Sequence, residues 1–396
     1  MRPAIPQFTL TNQPKIHFQW DCLSALTESI LQKQWRSMVL ISSQFLARPG
    51  QFSANFIAHL QQADCRVTVF TVSGEPSPEL IDTLVKASPK DTQGVIGIGG
   101  GSVLDTAKAV AGLIPSQTSV YDYLEGVGKA RPFTGSTYPF IAVPTTAGTG
   151  SETTKNAVLS RLGEFKKSFR DDKLLAQEVW LDPRFVESCP GQVRYATGMD
   201  AFTQLLESYT TRKANPFTDA LAWQGMQLFQ SVKAEFLAQP STPSNKLSSH
   251  LMLAASFSGI TLANAGLGAV HGLAGPIGAF FEAPHGEVCA ALLAPITQTN
   301  LSALEAATTP EAIQTLKKYA RIGHLFNPNA QTQAQQLSSL IDALTELAAP
   351  LQGLSTYGLT SNTLDAVIEN CRAGSMLGNP IVLSDTVLRH AILQAL

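Results

Sequence analysis

Four side chains in the second half of the chain are of the types that bind divalent metals. Asp200 and Gln204 are four residues apart in a segment of helical periodicity, so both side chains face the same side of the predicted helix. His271 begins a short glycine-rich apolar segment, and His285 follows a proline beyond its far end. Two oxygen donors and two imidazoles can together hold a divalent metal. The spacing alone is more typical of a helix cap, a surface amide and two unrelated histidines.

A glycine-rich turn in the first half of the chain is typical of a phosphate site. The sequence GIGGGSVLDTAK begins at Gly97, directly after an apolar run that predicts a buried strand, and residues 103–114 have helical spacing. Glycine lets backbone N–H groups approach a ligand, and the positive end of the following helix favours an anion. Ser102 is predicted to cap that helix, with Asp105 completing a capping-box pattern. A tight turn with a good cap is the alternative interpretation.

A second loop rich in hydroxyl groups follows the next predicted strand. The strand is predicted at 138–143, and residues 144–152 read PTTAGTGSE. Ligands of parallel sheets bind beyond the carboxyl ends of the strands. The loop therefore predicts a second ligand-binding segment at the same edge of the sheet, with a plain polar loop as the alternative.

The composition is that of an ordinary soluble protein. The 396 residues leave room for two domains, with 44% hydrophobic and 15% charged residues. A net charge of −2 predicts neither a nucleic-acid nor an anionic-membrane partner. No apolar run has the length of a bilayer span, and the N-terminus has no apolar signal core. Five scattered cysteines without a CxxC pair predict reduced thiols and a cytoplasmic protein.

The periodicity changes near residue 183, and this change predicts the domain organisation. Strands are predicted at 14–20, 37–42, 65–71, 92–98 and 138–143, alternating with helices at 22–34, 50–62, 79–87 and 103–114. Further strands at 156–159 and 178–181 bracket Lys166, Lys167 and Arg170, which read as a solvated basic face. The later helices are predicted at 199–211, 216–237, 246–265, 270–281, 310–323, 331–349, 362–373 and 385–395. The pattern predicts a parallel α/β domain at 1–183 and an all-α domain at 184–396.

Five motifs occur in an order that resembles a known family. They are GGGSVLDTAK from Gly99, PTTAGTGSE from Pro144, ATGMDA from Ala196, NAGLGAVH from Asn264 and PHG from Pro284. Over nearly its whole length the chain resembles the iron-containing (group III) alcohol dehydrogenases. The resemblance implies an N-terminal dinucleotide-binding α/β domain, an all-α C-terminal domain and an active cleft between them. It also implies a homodimer, because dimers are frequent in that family.

The resemblance also implies the site residues. Asp200, His271 and His285 are expected to bind a catalytic divalent metal, Fe²⁺ or Zn²⁺, with Gln204 as a weak fourth ligand. The glycine turn is expected to hold the pyrophosphate of NADP or NAD, and the threonine loop to line the same cofactor. The expected cofactor contacts are Ser43, Gly99, Gly100, Gly101, Ser102, Asp105, Thr145, Thr146, Thr149, Asn156 and Lys166.

Three positions depart from the pattern of the family. Many members have histidine where this chain has Gln204, and another histidine where it has Gly275. An amide oxygen binds metal more weakly than imidazole, and Gly275 leaves more room and one fewer proton carrier beside the metal. NAD-preferring members often have aspartate where Ser43 stands, and serine does not repel the 2′-phosphate of NADP.

The sequence therefore predicts an NAD(P)-dependent, metal-dependent alcohol dehydrogenase or aldehyde reductase acting on a small-molecule alcohol or aldehyde. Two alternatives stay open. One is a lyase resembling dehydroquinate synthase, which uses bound NAD transiently. The other is a metal-free binding protein in which Gln204 marks a lost site.

Overall fold

A computed structural model describes residue 5, residues 7–44 and residues 52–396, with the backbone alone for 52–54. Residues 50 and 51 of one predicted helix lie outside the described residues. The chain divides into two compact units. We call the first the sheet unit, which consists of Thr11–Arg161 and Phe165–Cys189. We call the second the helical unit, which consists of Pro190–Leu396, residues 162–164 and the described residues before 11. The predicted domain division at 183 stays our proposal.

The sheet unit contains a six-stranded parallel sheet. Its strands and helices are β1 Lys15–Phe18, α1 Cys22–Gln32, β2 Ser37–Ser43, α2 Phe52–Gln62, β3 Arg66–Val72, α3 Pro78–Ala87, β4 Gly94–Gly99, α4 Gly101–Leu113, β5 Phe140–Pro144, β6 Asn156–Arg161, β7 Phe165–Arg170, β8 Glu178–Leu181 and α5 Pro183–Ser188. The strand order is β1-β8-β5-β4-β2-β3, and every neighbouring pair is parallel. Strands β6 and β7 form a separate antiparallel pair. The predicted parallel sheet is confirmed.

Helices cover both faces of this sheet. Successive side chains of a strand point to opposite faces, so each strand contributes apolar side chains to both layers of helices. Met38 and Leu40 of β2 belong to a core cluster that includes Leu26 of α1 and Phe56 of α2. Helix α4 packs on the other face, where a Cβ at Gly97 would lie 2.9 Å from the Cβ of Ala107. The buried strands are therefore apolar on both faces, which is typical of parallel sheets.

The order of the strands places a switch point between β2 and β4. The chain leaves β2 for β3 on one side and then returns to β4 on the other side of β2. Such a reversal opens the crevice at the carboxyl ends of the strands where α/β sheets bind their ligands. Ser43 ends β2 and Gly99 ends β4, so both lie at this edge.

The helical unit contains ten α-helices among its described residues. They are α6 Gly191–Thr210, α7 Pro216–Gln230, α8 Lys233–Ala238, α9 Asn245–Ala265, α10 Ala269–Phe280, α11 His285–Ala306, α12 Pro310–Phe326, α13 Gln333–Ala348, α14 Leu364–Asn370 and α15 Asp385–Leu393. In the described part of the chain no single helix has the length and hydropathy of a membrane span. Helices α9 and α10 reach that length and composition only as a pair bent by 100°.

Several elements differ from the predictions. Helix α11 was not predicted, because Pro295 interrupts it and buried residues on most of its sides hide any amphipathic period. The helix predicted at 216–237 is two helices, since Val232 leaves the helical conformation with a φ of −123°. Strand β7 was read as a solvated basic face, yet it pairs with β6 along its whole length. Helix α5 was also missed.

Candidate functional site

Three helices of the helical unit bring four metal-binding side chains together. Asp200 lies on α6, His271 on α10, and His285 and Cys289 on α11. One ligand atom from each lies within 4.8 Å of the others. Asp200 Oδ1 is 3.1 Å from His271 Nε2 and 3.8 Å from His285 Nε2. The structure thus brings the three predicted ligands into one cluster, which we call the donor cluster, and adds a cysteine that the sequence analysis did not select.

Helix α6 presents Asp200 and Gln204 on the same face, as the four-residue spacing predicts. Both side chains are buried. The amide nitrogen of Gln204 donates to Asp200 Oδ1 at 3.1 Å, and its oxygen accepts from Ser258 Oγ at 2.7 Å. In this orientation the nitrogen, which cannot bind a metal, faces Asp200. Coordination by Gln204 requires the amide to turn round, and it stays a prediction.

The PHG motif has a packing reason beyond its histidine. A Cβ at Gly286 would lie 2.0 Å from the backbone oxygen of Ala196, so glycine is needed where α11 starts against α6. Ala196 is one helical turn before Asp200. The close approach at Gly286 therefore places the neighbouring His285 within reach of the Asp200 carboxylate.

Glu207 is a site residue that the sequence analysis missed. Its carboxylate accepts a hydrogen bond from His271 Nδ1 at 2.7 Å and another from the backbone N–H of Val270 at 2.7 Å. The first bond fixes the ring so that Nε2 faces Asp200 and the rest of the donor cluster. Glu207 lies seven residues after Asp200, two turns along the same face of α6, and this periodicity is the signal that could have found it.

Burial and the neighbouring charges shift the pKa values of the groups in the donor cluster. Burial opposes ionisation of Asp200, but His285, His271 and Gln204 hold the pKa of its carboxyl below the ordinary value. Burial also disfavours a charged His271, yet Cys289, Asp200 and Glu207 together raise its pKa well above the ordinary range. Burial raises the pKa of the Cys289 thiol to about 11, although His271 opposes this shift.

Space is open beside the donor cluster at Gly275. This glycine lies one helical turn after His271 on α10, and a Cβ there would meet none of the described atoms within 4 Å. The extra room beside the metal that the sequence predicts at this position stays a prediction.

The glycine turn and the threonine loop meet at the carboxyl edge of the sheet. The backbone N–H of Thr145 donates to the carbonyl of Gly99 at 3.0 Å. A Cβ at Gly101 would lie 2.7 Å from Thr149 Cγ2, and one at Gly100 would lie 3.3 Å from Thr146. The structure therefore brings two predicted cofactor segments together, and Gly101, the first residue of α4, is part of their contact.

The predicted capping box at Ser102 and Asp105 is wrong. Helix α4 begins at Gly101 with Gly100 as its N-cap residue, and no side chain caps it. Asp105 instead accepts hydrogen bonds from Ser151 Oγ at 2.6 Å and from the N–H of Val158 at 3.1 Å. The capping pattern failed because the helix already starts at Gly101, one residue before Ser102.

Lys108 is a buried cation that braces the threonine loop. Its ammonium donates to the backbone oxygens of Ser151 at 2.8 Å and Asn156 at 2.7 Å, and to Thr154 Oγ1 at 3.1 Å. Asp105 Oδ1 lies 3.6 Å away. Burial lowers the pKa of Lys108, while Asp105 opposes the shift. Because these contacts are inside the protein, Lys108 holds the threonine loop in a fixed position.

The other predicted cofactor residues are spread more widely in the sheet unit. Ser43 ends β2 at the switch point. Asn156 begins β6, where its backbone oxygen accepts from Lys108. Lys166 lies on β7 and pairs with Glu75, which follows β3. The role of all three in cofactor binding stays a prediction.

Comparison with known proteins identifies the family. The iron-containing alcohol dehydrogenase model matches residues 13–183, and the model of the C-terminal part of the Fe-containing alcohol dehydrogenase family matches residues 194–393. Long-chain-alcohol dehydrogenase 1 of Geobacillus thermodenitrificans (strain NG80-2) is 35% identical over 283 residues, which cover 71% of this chain and 70% of that protein.

Solved structures agree on the fold. A 1,3-propanediol oxidoreductase superposes with a TM-score of 0.85 at 25% identity, covering 99% of this chain and 100% of the other. Sulfoacetaldehyde reductase from Bifidobacterium kashiwanohense in complex with NAD⁺ gives a TM-score of 0.82 at 21% identity, with 98% and 99% covered. Because both parts of the family model match and the fold agrees over the whole length, this chain belongs to the iron-containing alcohol dehydrogenase family.

Proposed function

We propose that Asp200, His271 and His285 hold the catalytic metal of an enzyme that transfers hydride between NAD(P)(H) and an alcohol or aldehyde. The chain is an oxidoreductase of the alcohol dehydrogenase and aldehyde reductase type. Of the three functions that the sequence left open, this is the one that the comparisons support. The observation that carries the assignment of the residues is the donor cluster itself, in which one carboxylate and two imidazoles converge.

The cluster has the chemistry of a metal site. Carboxylate, imidazole and thiol are the donors that Fe²⁺ and Zn²⁺ take in proteins. The side chains of Asp200 and His271 are almost completely buried and that of His285 is partly buried around one point, an arrangement that is costly unless protons or a cation lie between them. The bond from Glu207 to His271 Nδ1 is the support that metal-binding histidines commonly have.

The overall reaction is aldehyde plus NAD(P)H plus a proton giving alcohol plus NAD(P)⁺. When bound, a divalent metal supplies a Lewis acid for the substrate oxygen, and the nicotinamide supplies or accepts the hydride. Asp200 contributes a negative charge at the cluster, and Glu207 keeps His271 Nε2 aimed at it. The open space at Gly275 is where we place the carbon chain of the substrate, beside His271.

We assign cofactor binding to the edge of the sheet formed by the glycine turn and the threonine loop. The N-terminus of α4 would carry the pyrophosphate, because its N–H groups lack side-chain caps. A neighbouring solved structure of the family fold contains NAD⁺. Ser43 at the end of β2 is consistent with either NAD or NADP, and with NADP in particular, since no carboxylate stands there.

The test is an aldehyde panel assayed with NADH and with NADPH after the purified protein is loaded with Fe²⁺ or Zn²⁺. We expect oxidation of the reduced cofactor in equal amount to the alcohol formed, and higher kcat/KM with NADPH. The function would be overturned if folded, metal-loaded protein released no oxidised cofactor with any aldehyde while retaining bound dinucleotide.

The assembly and the compartment are also proposals. We propose a homodimer in the cytoplasm, supported by the frequency of dimers in the family and by five cysteines, all of them described, that form no disulfide. Light scattering at two protein concentrations tests the dimer, and fractionation of the source cells tests the compartment. A monomer mass at both concentrations, or enzyme outside the cytoplasmic fraction, would contradict them.

A further inference from the structure

Cys289 occupies a position in the donor cluster that no motif of the sequence analysis assigned. It lies on α11 four residues after His285, so the two side chains share one face of the helix, one turn apart. The residue is fully buried. Its sulfur is 3.6 Å from His271 Nε2 and 3.7 Å from His285 Nε2.

The two sulfur–nitrogen distances match a tetrahedral arrangement of sulfur and nitrogen around one metal ion. Sulfur at about 2.3 Å and nitrogen at about 2.0–2.1 Å from one ion, at a tetrahedral angle, stand about 3.6 Å apart. Both measured sulfur–nitrogen distances are within a tenth of an ångström of that value. A neutral thiol can bond both imidazoles only if it donates its proton to one and accepts an N–H from the other, whereas a metal-bound thiolate needs neither proton.

Gln204 is the competing fourth donor. Its nitrogen faces Asp200 and its oxygen faces Ser258, so it must turn its amide before it can bind a metal. Cys289 needs no such change, since its sulfur already lies at ligand spacing from both imidazoles. Cysteine is also the softer donor and binds Zn²⁺ more strongly than an amide oxygen does.

We infer that Cys289 is the fourth protein ligand, so that the protein would supply Asp200, His271, His285 and Cys289, and the substrate oxygen would add as a fifth ligand. The inference rests on the proposed function, because it needs a metal at this cluster. The thiol loses its proton when it binds, and the ligand set of one sulfur, two nitrogens and one oxygen suits Zn²⁺ or Co²⁺ better than Fe²⁺. Despite its family, this chain is expected to retain zinc.

The experiment uses Co²⁺ as a spectroscopic probe of the full-length protein. Metal-free protein is titrated with Co²⁺, and the sulfur-to-cobalt charge-transfer band in the near ultraviolet is recorded together with the visible bands of the bound ion. We expect both in the wild type. Cys289→Ser should keep the visible bands, lose the charge-transfer band and bind Zn²⁺ at least about tenfold more weakly.

Two variants serve as matched controls. Cys371→Ser removes another fully buried cysteine of the helical unit and should keep the charge-transfer band. Gln204→Ala should also keep it. A wild-type spectrum with visible bands and no charge-transfer band would overturn the inference and leave the proposed metal site intact.

The proposed function fails in a different way. If the wild type binds no Co²⁺ or Zn²⁺, or binds them equally well after His271→Ala and His285→Ala, then the cluster is not the metal site at all. Should Cys289→Ser not fold, the wild type and Cys371→Ser still decide the matter, because a charge-transfer band insensitive to Cys371 comes from another thiol. Cadmium-113 NMR of the wild type then provides the second measurement, since a bound thiolate moves its resonance strongly downfield.

Discussion

The donor cluster differs in construction from the edge of the sheet formed by the glycine turn and the threonine loop, which we call the nucleotide edge because we propose that the dinucleotide binds there. At the edge, the segments that meet are each continuous in sequence, and backbone groups make the contacts, as between Thr145 and Gly99. In the cluster, three separate helices each deliver side chains, and charged groups hold one another, as Glu207 holds His271. A local pattern therefore defines the edge, whereas the cluster exists only when the helices are packed. Substitutions in the two regions should therefore change different measured quantities: metal binding for the cluster and dinucleotide binding for the edge.

The largest effect is expected at Asp200, since the two imidazoles and Gln204 all contact its carboxylate. Asp200→Asn removes the charge with little change in shape. Loss of one supporting group around a metal costs up to about 100-fold, so loss of a ligand should lower kcat/KM by at least that factor. Bound metal after dialysis against a chelator should fall in parallel. The control is Asp219→Asn on α7, whose partner is Lys318; similar metal loss there would contradict the assignment.

A substitution of Glu207 tests whether losing the hydrogen bond that orients His271 weakens metal binding as much as losing a proposed ligand does. Glu207→Gln removes the charge that accepts the His271 Nδ1–H bond. Metal affinity should fall by about 10- to 100-fold, while dinucleotide binding to the sheet unit is unchanged. Competition with a chromophoric chelator measures the first and fluorescence titration the second. Glu346→Gln, which breaks an exposed pair with Lys233, should leave both unchanged.

At the nucleotide edge the effect should be steric. Gly101→Ala places a methyl group 2.7 Å from Thr149 Cγ2, and overpacking of this size costs about 1–3 kcal/mol. The dissociation constant of NAD(P)H should rise while metal content stays normal. Thr149→Ala removes the clashing atoms, so the double variant should recover much of the loss. An additive double variant would show that the strain lies elsewhere.

Glu152, in the threonine loop, predicts a pH dependence of stability. Burial raises its pKa to about 7 from a usual value of 4.5, although backbone hydrogen bonding and Lys108 oppose the shift. The folded protein thus binds this proton more tightly than the unfolded chain does. Its contribution to stability is fully present below the unfolded pKa and is lost as the pH rises through about 7.

The check is a comparison with Glu152→Gln, which cannot ionise. Between pH 5 and pH 7 the wild type should lose about 2 kcal/mol of unfolding free energy relative to this variant. Urea unfolding at both pH values measures it. Glu125→Gln, an exposed carboxyl paired with Arg170, is the control. A constant difference between wild type and Glu152→Gln would mean that Glu152 is ionised throughout.

The smallest effect is expected at Ser43. Ser43→Asp places a carboxylate at the end of β2, where it would repel a 2′-phosphate and bond a ribose hydroxyl. The ratio of kcat/KM for NADPH over NADH should fall by about tenfold, equivalent to about 1.4 kcal/mol. Ser116→Asp adds the same charge beyond the far end of α4 and should not alter the ratio. An unchanged ratio in Ser43→Asp would place Ser43 away from the ribose.

The sequence located the strand, glycine turn and threonine loop at the edge of the sheet better than it located the donor cluster, for the reason that separates the two regions. Strand, glycine turn and helix are adjacent in the chain, so their periodicity alone located them. The error at Ser102 was one of register, because the glycines begin the helix earlier than the capping pattern suggests.

In the cluster, the resemblance supplied Asp200, His271 and His285, but nothing in the sequence analysis pointed to Cys289. Cys289 lies on the same face as His285 only if a helix starts at His285, and α11 was not predicted. A buried helix has no polar face, so its period is invisible in a single sequence. Glu207 was missed because its partner His271 lies on another helix, and such pairings depend on tertiary packing.

The carboxylate of Glu207 contacts the backbone N–H groups of Val270 and His271 as well as the imidazole. The first turn of α10 and the orientation of the His271 ring, which we propose binds the metal, are therefore held by the same carboxylate. Local opening of that turn releases the ring, and an ion held by the ring opposes the opening. The rate at which these two amide hydrogens exchange with deuterium should therefore report metal occupancy. Exchange should be slow when the ion is bound and faster when it has left.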